Sequence, residues 1–331
     1  MRKVLFLIPL LLASCSVDFS DCSYATTYQK GMNIFFMPPR NRFEYSDFTE
    51  NVAYLKSIGI TTLFLIPYYF TAEPNSNSID STSQTIPDSQ LYSAISIAQN
   101  AGMEVILKPH IDCLNGQPRY TIDPANYELW MNRYRAFIIK YFSIASQFGL
   151  KSFVIATELD NIIENQLFIS FCDSVRNVSA INIILSTSYN HFVKQDIWKH
   201  CDIVGVNAYY NLDNSDKPQE FTLRETWNYW LNTISQQSEL NGKPVILTEA
   251  GFMSRSNAAA NPGDFSGNPS ADVALQDKCY DALLSQACKF DNIQGIFFWQ
   301  WELGALSNEA EKDYTPRGKP AENTIKRYWA Q

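Results

Sequence analysis

The chain has 331 residues, 46% of them hydrophobic and 14% aromatic, with a formal net charge of −8. That length exceeds a usual single domain, yet all-in-one α/β barrels reach it. An acidic balance without a basic cluster argues against a nucleic-acid partner, because phosphate binding needs a positive footprint, and weakly favours a neutral substrate over a polyanion. The 21 Phe, 18 Tyr and 7 Trp exceed what a core alone suggests, and ring faces suit the CH-rich faces of pyranoses.

The N-terminus reads as an address. Arg2 and Lys3 precede an apolar run over residues 4–12 that is too short to span a bilayer. It closes in Leu12-Ala13-Ser14-Cys15, the pattern of a bacterial lipobox. The expectation is a signal peptide over residues 1–14, a lipidated Cys15, a polar tether over 15–28 and one domain over 29–331. Several acyl chains on Cys15 would anchor the protein to a membrane. Ser16 lacks the acidic side chain associated with inner-membrane retention, so the expected place is the outer membrane of a bacterial envelope, periplasmic or surface-facing.

Downstream, a first strand is expected over residues 31–37, halted by Pro38-Pro39. Ser46 then caps a helix ending near Gly59. The second strand covers 61–69, with Pro67 near its end. A polar loop over 71–85 has the length of a functional connection. Leu91, Ile95 and Ala98 mark a helix that stops at Gly102. The third strand is 103–111 (MEVILKPHI), followed by a loop and an aromatic helix carrying Trp130, Tyr134, Phe137 and Tyr141. The fourth strand, 151–160 (KSFVIATELD), ends in Thr157-Glu158, and a helix over about 161–177 follows. Strands over 182–189 and 202–210, a helix ending at Asn241-Gly242, a seventh strand at 243–252 (KPVILTEAGF), a helix over 272–289 and an eighth strand at 293–301 complete the series, with a terminal helix after Gly318.

Eight short, apolar, non-alternating strands in strict alternation with helices describe strands buried on both faces, as in a (β/α)8 TIM barrel forming a single domain. No GxGxxG follows the first strand, so no dinucleotide cofactor is implied. Six cysteines follow Cys15, and their count permits many pairings. Cys172, Cys279 and Cys288 fall in helical patterns and read as small buried hydrophobes. No CxxC or Cys/His spacing indicates a metal, and no cofactor is expected.

Chemistry in such a barrel belongs to the C-terminal strand ends. Two of them finish in Thr-Glu, presenting Glu158 and Glu249. Paired carboxylates are what glycoside hydrolysis requires, one to protonate the leaving oxygen and one to attack or activate water. Asp112, Asp160 and Glu302 compete; Asp160 could cap the following helix, and Asp112 could hold a loop or Arg119. The same rim carries Lys108, His110, Asp112, Asn190, Asn207, Tyr209, Trp299 and Trp301, as sugar contacts or, for Lys108 and His110, as a structural polar network. Trp301 could equally belong to the core.

Six motifs in order, KPHID (108–112), ATEL (156–159), NAYY (207–210), TEAGF (248–252), FFWQW (297–301) and GKPA (318–321), resemble the family 113 glycoside hydrolases, within the clan of retaining (β/α)8 enzymes. The resemblance covers residues 31–321. It implies metal-free endo-β-1,4-mannanase activity with retention of configuration, Glu158 as acid/base, Glu249 as nucleophile, Trp299 under the reacting sugar and Tyr209 orienting Glu249. The chain has Thr157 where the wider clan has Asn, Asn207 where the family has Asp, and His191 where it has Trp. Alternatives are a β-glycosidase of other sugar specificity, or a glycan-binding lipoprotein that has lost turnover.

Overall fold

The computed structural model describes residues 22–178, 180–192, 196–306 and 310–330. The expected signal segment and Cys15 lie outside them. In chain order the elements are β1 (Gln29–Phe35), α1 (Tyr45–Ser57), β2 (Thr62–Ile66), β3 (Tyr68–Thr71), α2 (Asp88–Asn100), β4 (Glu104–Leu107), β5 (His110–Cys113), α3 (Tyr127–Gln147), β6 (Ser152–Thr157), α4 (Gln166–Asn177), β7 (Asn182–Ser188), β8 (Ile203–Asn207), α5 (Glu220–Asn241), β9 (Val245–Ala250), α6 (Val273–Ala287), β10 (Ile293–Phe298) and α7 (Pro320–Trp329).

Among the described residues, β1, β2, β4, β6, β7, β8, β9 and β10 close into a parallel barrel in that order, as the (β/α)8 expectation requires. Parallel neighbours need a crossover, and the amphipathic helices supply it while covering the outer face. Outward strand residues such as Met32, Ile34, Leu63 and Leu65 pack with the helices in one large apolar cluster. Inward residues fill the barrel itself: Phe35, Phe64, Ile106, Val154, Ile184, Ile246 and Phe297 form a separate cluster beneath the rim. It is a packed floor rather than a channel.

Several boundaries differ from expectation for identifiable reasons. Two of the expected strands, 61–69 and 103–111, each break at a proline. Pro67 separates β2 from β3, and Pro109 lies between β4 and β5, because proline offers no N–H to the ladder. The detached pieces pair with each other, Tyr68 opposite His110 through Thr71 opposite Cys113, and raise a small parallel wall above the rim. Helix α1 begins at Tyr45, so Ser46 lies inside it and is not the cap. Helix α4 begins after Asn165, whose side chain accepts from the Leu167 N–H; Asp160 therefore does not cap it. Asp272 caps α6 by accepting from the Leu275 N–H. Gly242 ends α5 in the left-handed region at φ 61°, as its sequence position suggested.

From residue 22 onward the stretch expected to be a polar tether is fastened to the barrel. Cys22 forms a disulfide with Cys288, and the Tyr24 hydroxyl donates to the Leu284 carbonyl at 2.6 Å. Cys288 is thus a crosslink rather than a small hydrophobe, whereas Cys172 and Cys279 are free and buried. The crosslink joins the chain entry to the C-terminal end of α6, at the base of the barrel away from the rim. Among the described residues no helix is long and apolar enough to cross a membrane.

Candidate active site

Both glutamate-bearing strands carry one extra residue just before their rim. On β6, Val154 and Ala156 face the consecutive residues Ile184 and Leu185 of β7. On β9, Leu247 and Glu249 face the consecutive residues Val206 and Asn207 of β8, and the pairing with β10 is shifted over the same stretch. A bulge re-aims the residues that follow it, and here it turns Thr248 and Glu249 both to the axis. Glu158 follows the end of β6 with φ 51°, a left-handed backbone rarely adopted by a non-glycine residue. Its N–H is fixed by the Ser186 carbonyl at 2.9 Å. Gly251 lets β9 pass close to Trp299, since a Cβ there would lie 2.3 Å from the Trp299 carbonyl oxygen.

Glu249 is buried and held at both oxygens. The Lys108 ammonium lies 2.5 Å from Oε1, and the Tyr209 hydroxyl donates to Oε2 at 2.8 Å. Lys108 is wholly buried; its other contacts are the Thr248 carbonyl and Asn33 Oδ1, each at 3.4 Å. Burial pushes the Lys108 ammonium down from its usual range, against the attraction of Glu249. Burial and then the Glu249 charge raise Tyr209 far above an ordinary phenol, so it remains a donor. His110 Nε2 is 3.9 Å from Glu249 Oε1. Burial, then the positive charges of Arg119 and Lys108, hold this imidazole neutral.

Glu158 is in a different environment. Burial, followed by the charge on Glu249, raises it from 4.5 to about 7, while Arg119 and then Asn207 oppose the rise and Asp160 adds to it. Arg119 Nη1 lies 3.7 Å from Glu158 Oε2. Its guanidinium is fixed by Asp112, whose Oδ1 accepts from Nε at 2.9 Å and Nη2 at 2.6 Å. The Asn207 amide faces Glu158 without a hydrogen bond of ordinary geometry. One carboxyl is thus favoured as an acid near neutrality while the other is clamped against a cation, the division of labour on which acid–nucleophile pairs depend.

An aromatic wall closes one side. The Trp299 ring stacks on Phe35 at 5.9 Å and on His110 at 6.1 Å, each inclined by 13°, and Tyr68 meets His110 edge-on at 5.3 Å. Facing it are buried polar atoms without partners: both His110 nitrogens, Thr157 Oγ1 and Asn207 Nδ2. Each of these atoms is able to hydrogen-bond a hydroxyl-bearing ligand, though buried polar atoms without a protein partner occur elsewhere in the described residues as well. Among the described residues no group of three or more His, Cys, Asp or Glu is arranged to hold a metal.

Of the residues expected from sequence, Lys108, His110, Thr157, Glu158, Asn207, Tyr209, Glu249 and Trp299 gather around this space. Lys108 meets Glu249 as a buried counter-charge. Asp112 holds Arg119. Asn190 is exposed in the turn after β7, while its neighbour His191 turns Nδ1 to Asp160 at 3.1 Å. Asp160 also accepts from the Ser188 hydroxyl at 2.6 Å. Of the two readings open for Trp301, the core one fits its surroundings: it is fully buried, donating from Nε1 to Asn51 of α1 at 2.7 Å. Glu302 lies beside it, 3.7 Å from Arg40. Sequence reasoning gave Arg119 no role of its own, and nothing local marks a loop arginine. Ser186, Thr248 and Asn33, which brace the two carboxylates from below, read as ordinary strand residues.

A closed parallel barrel with two glutamates at its rim, one paired with Lys108 and Tyr209 and the other raised by burial, has the construction of a glycoside hydrolase. The sequence model of Glycoside Hydrolase Family 113 matches residues 32–319, and the chain belongs to that family. The fold is shared with a solved GH113 β-1,4-mannanase at 21% identity and TM-score 0.79, covering 91% of this chain and 98% of that one. The GH113 β-mannanase of Alicyclobacillus acidocaldarius aligns with TM-score 0.78 at 18% identity over 92% of this chain and 97% of its own. A β-D-glucuronidase of Dictyoglomus thermophilum aligns with TM-score 0.65 at 16% identity, over 92% of this chain and 50% of its own. No curated protein sequence matches the chain.

Proposed function

We propose that this glycoside hydrolase is a retaining endo-β-1,4-mannanase, with Glu249 as nucleophile and Glu158 as acid/base. The observation that carries the reading is the asymmetry of the pair. Lys108 and Tyr209 occupy the two oxygens of Glu249 as they would those of an ionised carboxylate, while Glu158 is raised to about 7. Mannan as the substrate is supported by the family and by the named activity of the solved relatives.

In the first step Glu158 gives its proton to the glycosidic oxygen as Glu249 attacks the anomeric carbon, forming a glycosyl ester and releasing the leaving sugar. Forming the ester quenches the charge on Glu249. This removes the second cause of the raised Glu158 pKa, so the carboxylate left behind is suited to take a proton from water. It also leaves the buried Lys108 ammonium without its counter-ion. A cation at that place favours return of the carboxylate, so Lys108 assists the second step, in which water attacks the sugar and Glu249 departs. Tyr209 donates to the departing oxygen.

A panel of β-linked oligosaccharides, with products followed by NMR, tests the substrate and the stereochemistry. Labelling with a 2-deoxy-2-fluoro glycoside tests Glu249, the modified peptide being read by mass spectrometry. Inversion of configuration, or a label on another residue, would sink the assignment. Unaltered inertness to the whole panel would favour the glycan-binding alternative. We also keep acylation of Cys15 and an outer-membrane position as proposals, tested by metabolic labelling with palmitate in the wild type and Cys15→Ala. The Cys22–Cys288 link at the barrel base would then turn the rim away from the bilayer.

A further inference from the structure

A parallel barrel sets every strand start and every helix end on one face, opposite the rim. That face carries six lysines: Lys30 in β1, Lys56 in the last turn of α1, Lys151 and Lys243 just before β6 and β9, Lys289 just after α6, and Lys326 in the last turn of α7. All six are exposed or half-buried. Among the described residues the lysines in ion pairs are others, Lys108, Lys140 and Lys199. The two arginines of the face are paired, Arg176 with Asp202 and Arg327 with Asp281. Three carboxylates outside any described ion pair, Glu104, Glu239 and Asp291, share the face with the six lysines. The base is therefore a net cation on a chain whose formal net charge is −8. No basic run announces it in the sequence; closing the barrel gathers it from separate places. Lys30 and Lys56 line one cleft of about 370 Å³ between the ends of α1 and α7. Their ammonium groups donate to the Trp329 and Ala101 carbonyls, and each has further N–H groups to offer an anion.

We propose that this face docks on a bilayer surface bearing anionic phospholipids, with a headgroup phosphate in the cleft between Lys30 and Lys56. Charge complementarity is the first argument. Helix ends favour cations one at a time, but like charges on one face repel, and an anionic surface turns that repulsion into attraction. The path of the chain is the second. The Cys22–Cys288 bond fixes the chain entry at this face, and Cys15 precedes Cys22 by seven residues, a reach of at most about 25 Å. An acylated Cys15 would thus hold the base, and not the rim, close to the headgroups. Val178 and Leu240, each 79% exposed at the ends of α4 and α5, add apolar side chains on the same face. The docking rests on the proposed acylation for delivery to the bilayer and is independent of the substrate.

The test places the full chain on vesicles of phosphatidylcholine alone and of equimolar phosphatidylcholine and phosphatidylglycerol. Lysines are acetylated with a water-soluble reagent and read by mass spectrometry, each rate being normalised to the vesicle-free protein. On the anionic vesicles at low salt the six basal lysines should react about tenfold more slowly. Lys217, exposed on the rim side beyond β8, should keep its rate. The protection should vanish at about 1 M salt, where screening shortens to about 3 Å. Combining Lys151→Gln, Lys243→Gln and Lys289→Gln should also weaken it at Lys30, Lys56 and Lys326. Unprotected basal lysines on the anionic vesicles overturn the proposal. Equal protection on phosphatidylcholine alone does so too, by putting the tether in place of charge. Protection by inorganic phosphate without vesicles would assign the cleft to a free anion and equally overturn the docking. Palmitate labelling of Cys15 is a separate measurement, so the anchor and the docking can fail independently.

Discussion

Glu158→Gln should stabilise the protein while abolishing its turnover, and the gain should appear only above acidic pH. In the fold Glu158 titrates at about 7 instead of 4.5, chiefly because it is buried. Between those values the folded state binds more protons than the unfolded chain, so stability falls as pH rises, from full below the unfolded value to its minimum above the folded one. At about 1.4 kcal/mol per pH unit, ionising Glu158 in the fold costs about 3 kcal/mol at roughly pH 8. Glutamine keeps the side-chain shape and the backbone preference at φ 51° but carries no charge. Thermal unfolding of both proteins at a series of pH values reads the effect, and every other carboxylate cancels in the difference. The two melting temperatures should coincide near about pH 4.5 and separate to about 5 °C near about pH 8, given the unfolding entropy of a chain this long. Parallel curves would refute the reasoning, by showing that Arg119 and Asn207 fully compensate the buried charge. A less stable variant at high pH would refute it more strongly.

Activity should lose its alkaline limb near about pH 7, where Glu158 gives up the proton it must donate. Arg119→Met removes a cation 3.7 Å away, which raises Glu158 further and should move that limb in kcat/KM upward by about one pH unit. A limb that stays or moves down counts against Arg119 as its neighbour. Lys108→Met should lower turnover by about 100-fold or more, because Glu249 loses its buried counter-charge. With an activated aryl glycoside the second step should suffer most, so glycosyl-enzyme accumulates in the mass spectrum of a quenched reaction; its absence would confine Lys108 to the first step. Trp301→Phe removes the donor to buried Asn51 and should cost about 1–3 kcal/mol in denaturant unfolding with KM unchanged. A raised KM would return Trp301 to the sugar site.

The barrel was legible because its signals are local. Short apolar strands alternating with helical periodicity survive in any reading of the chain, and both Thr-Glu pairs fall where such strands end. Lys108, His110, Asn207, Tyr209 and Trp299 were found by position on those strand ends alone. The division of roles among them was not legible in this way. Lys108 and Trp301 look alike in sequence, each polar or amphipathic at a strand end, yet one reaches Glu249 across the axis and the other leans outward onto α1.

By itself the sequence determined the alternation of elements, the closed sheet and the placing of Glu158 and Glu249 at strand ends, since these depend on residue periods and on motifs within a few positions. Tertiary structure alone decided which way the rim residues point and what charges they feel. The extra residues in β6 and β9 appear only when each strand is laid against its neighbours. The raised pKa of Glu158 arises from burial and then from the charge of Glu249, a residue far away in the chain. Register and desolvation belong to pairs and neighbourhoods rather than to single residues, and they come into being only when the barrel closes.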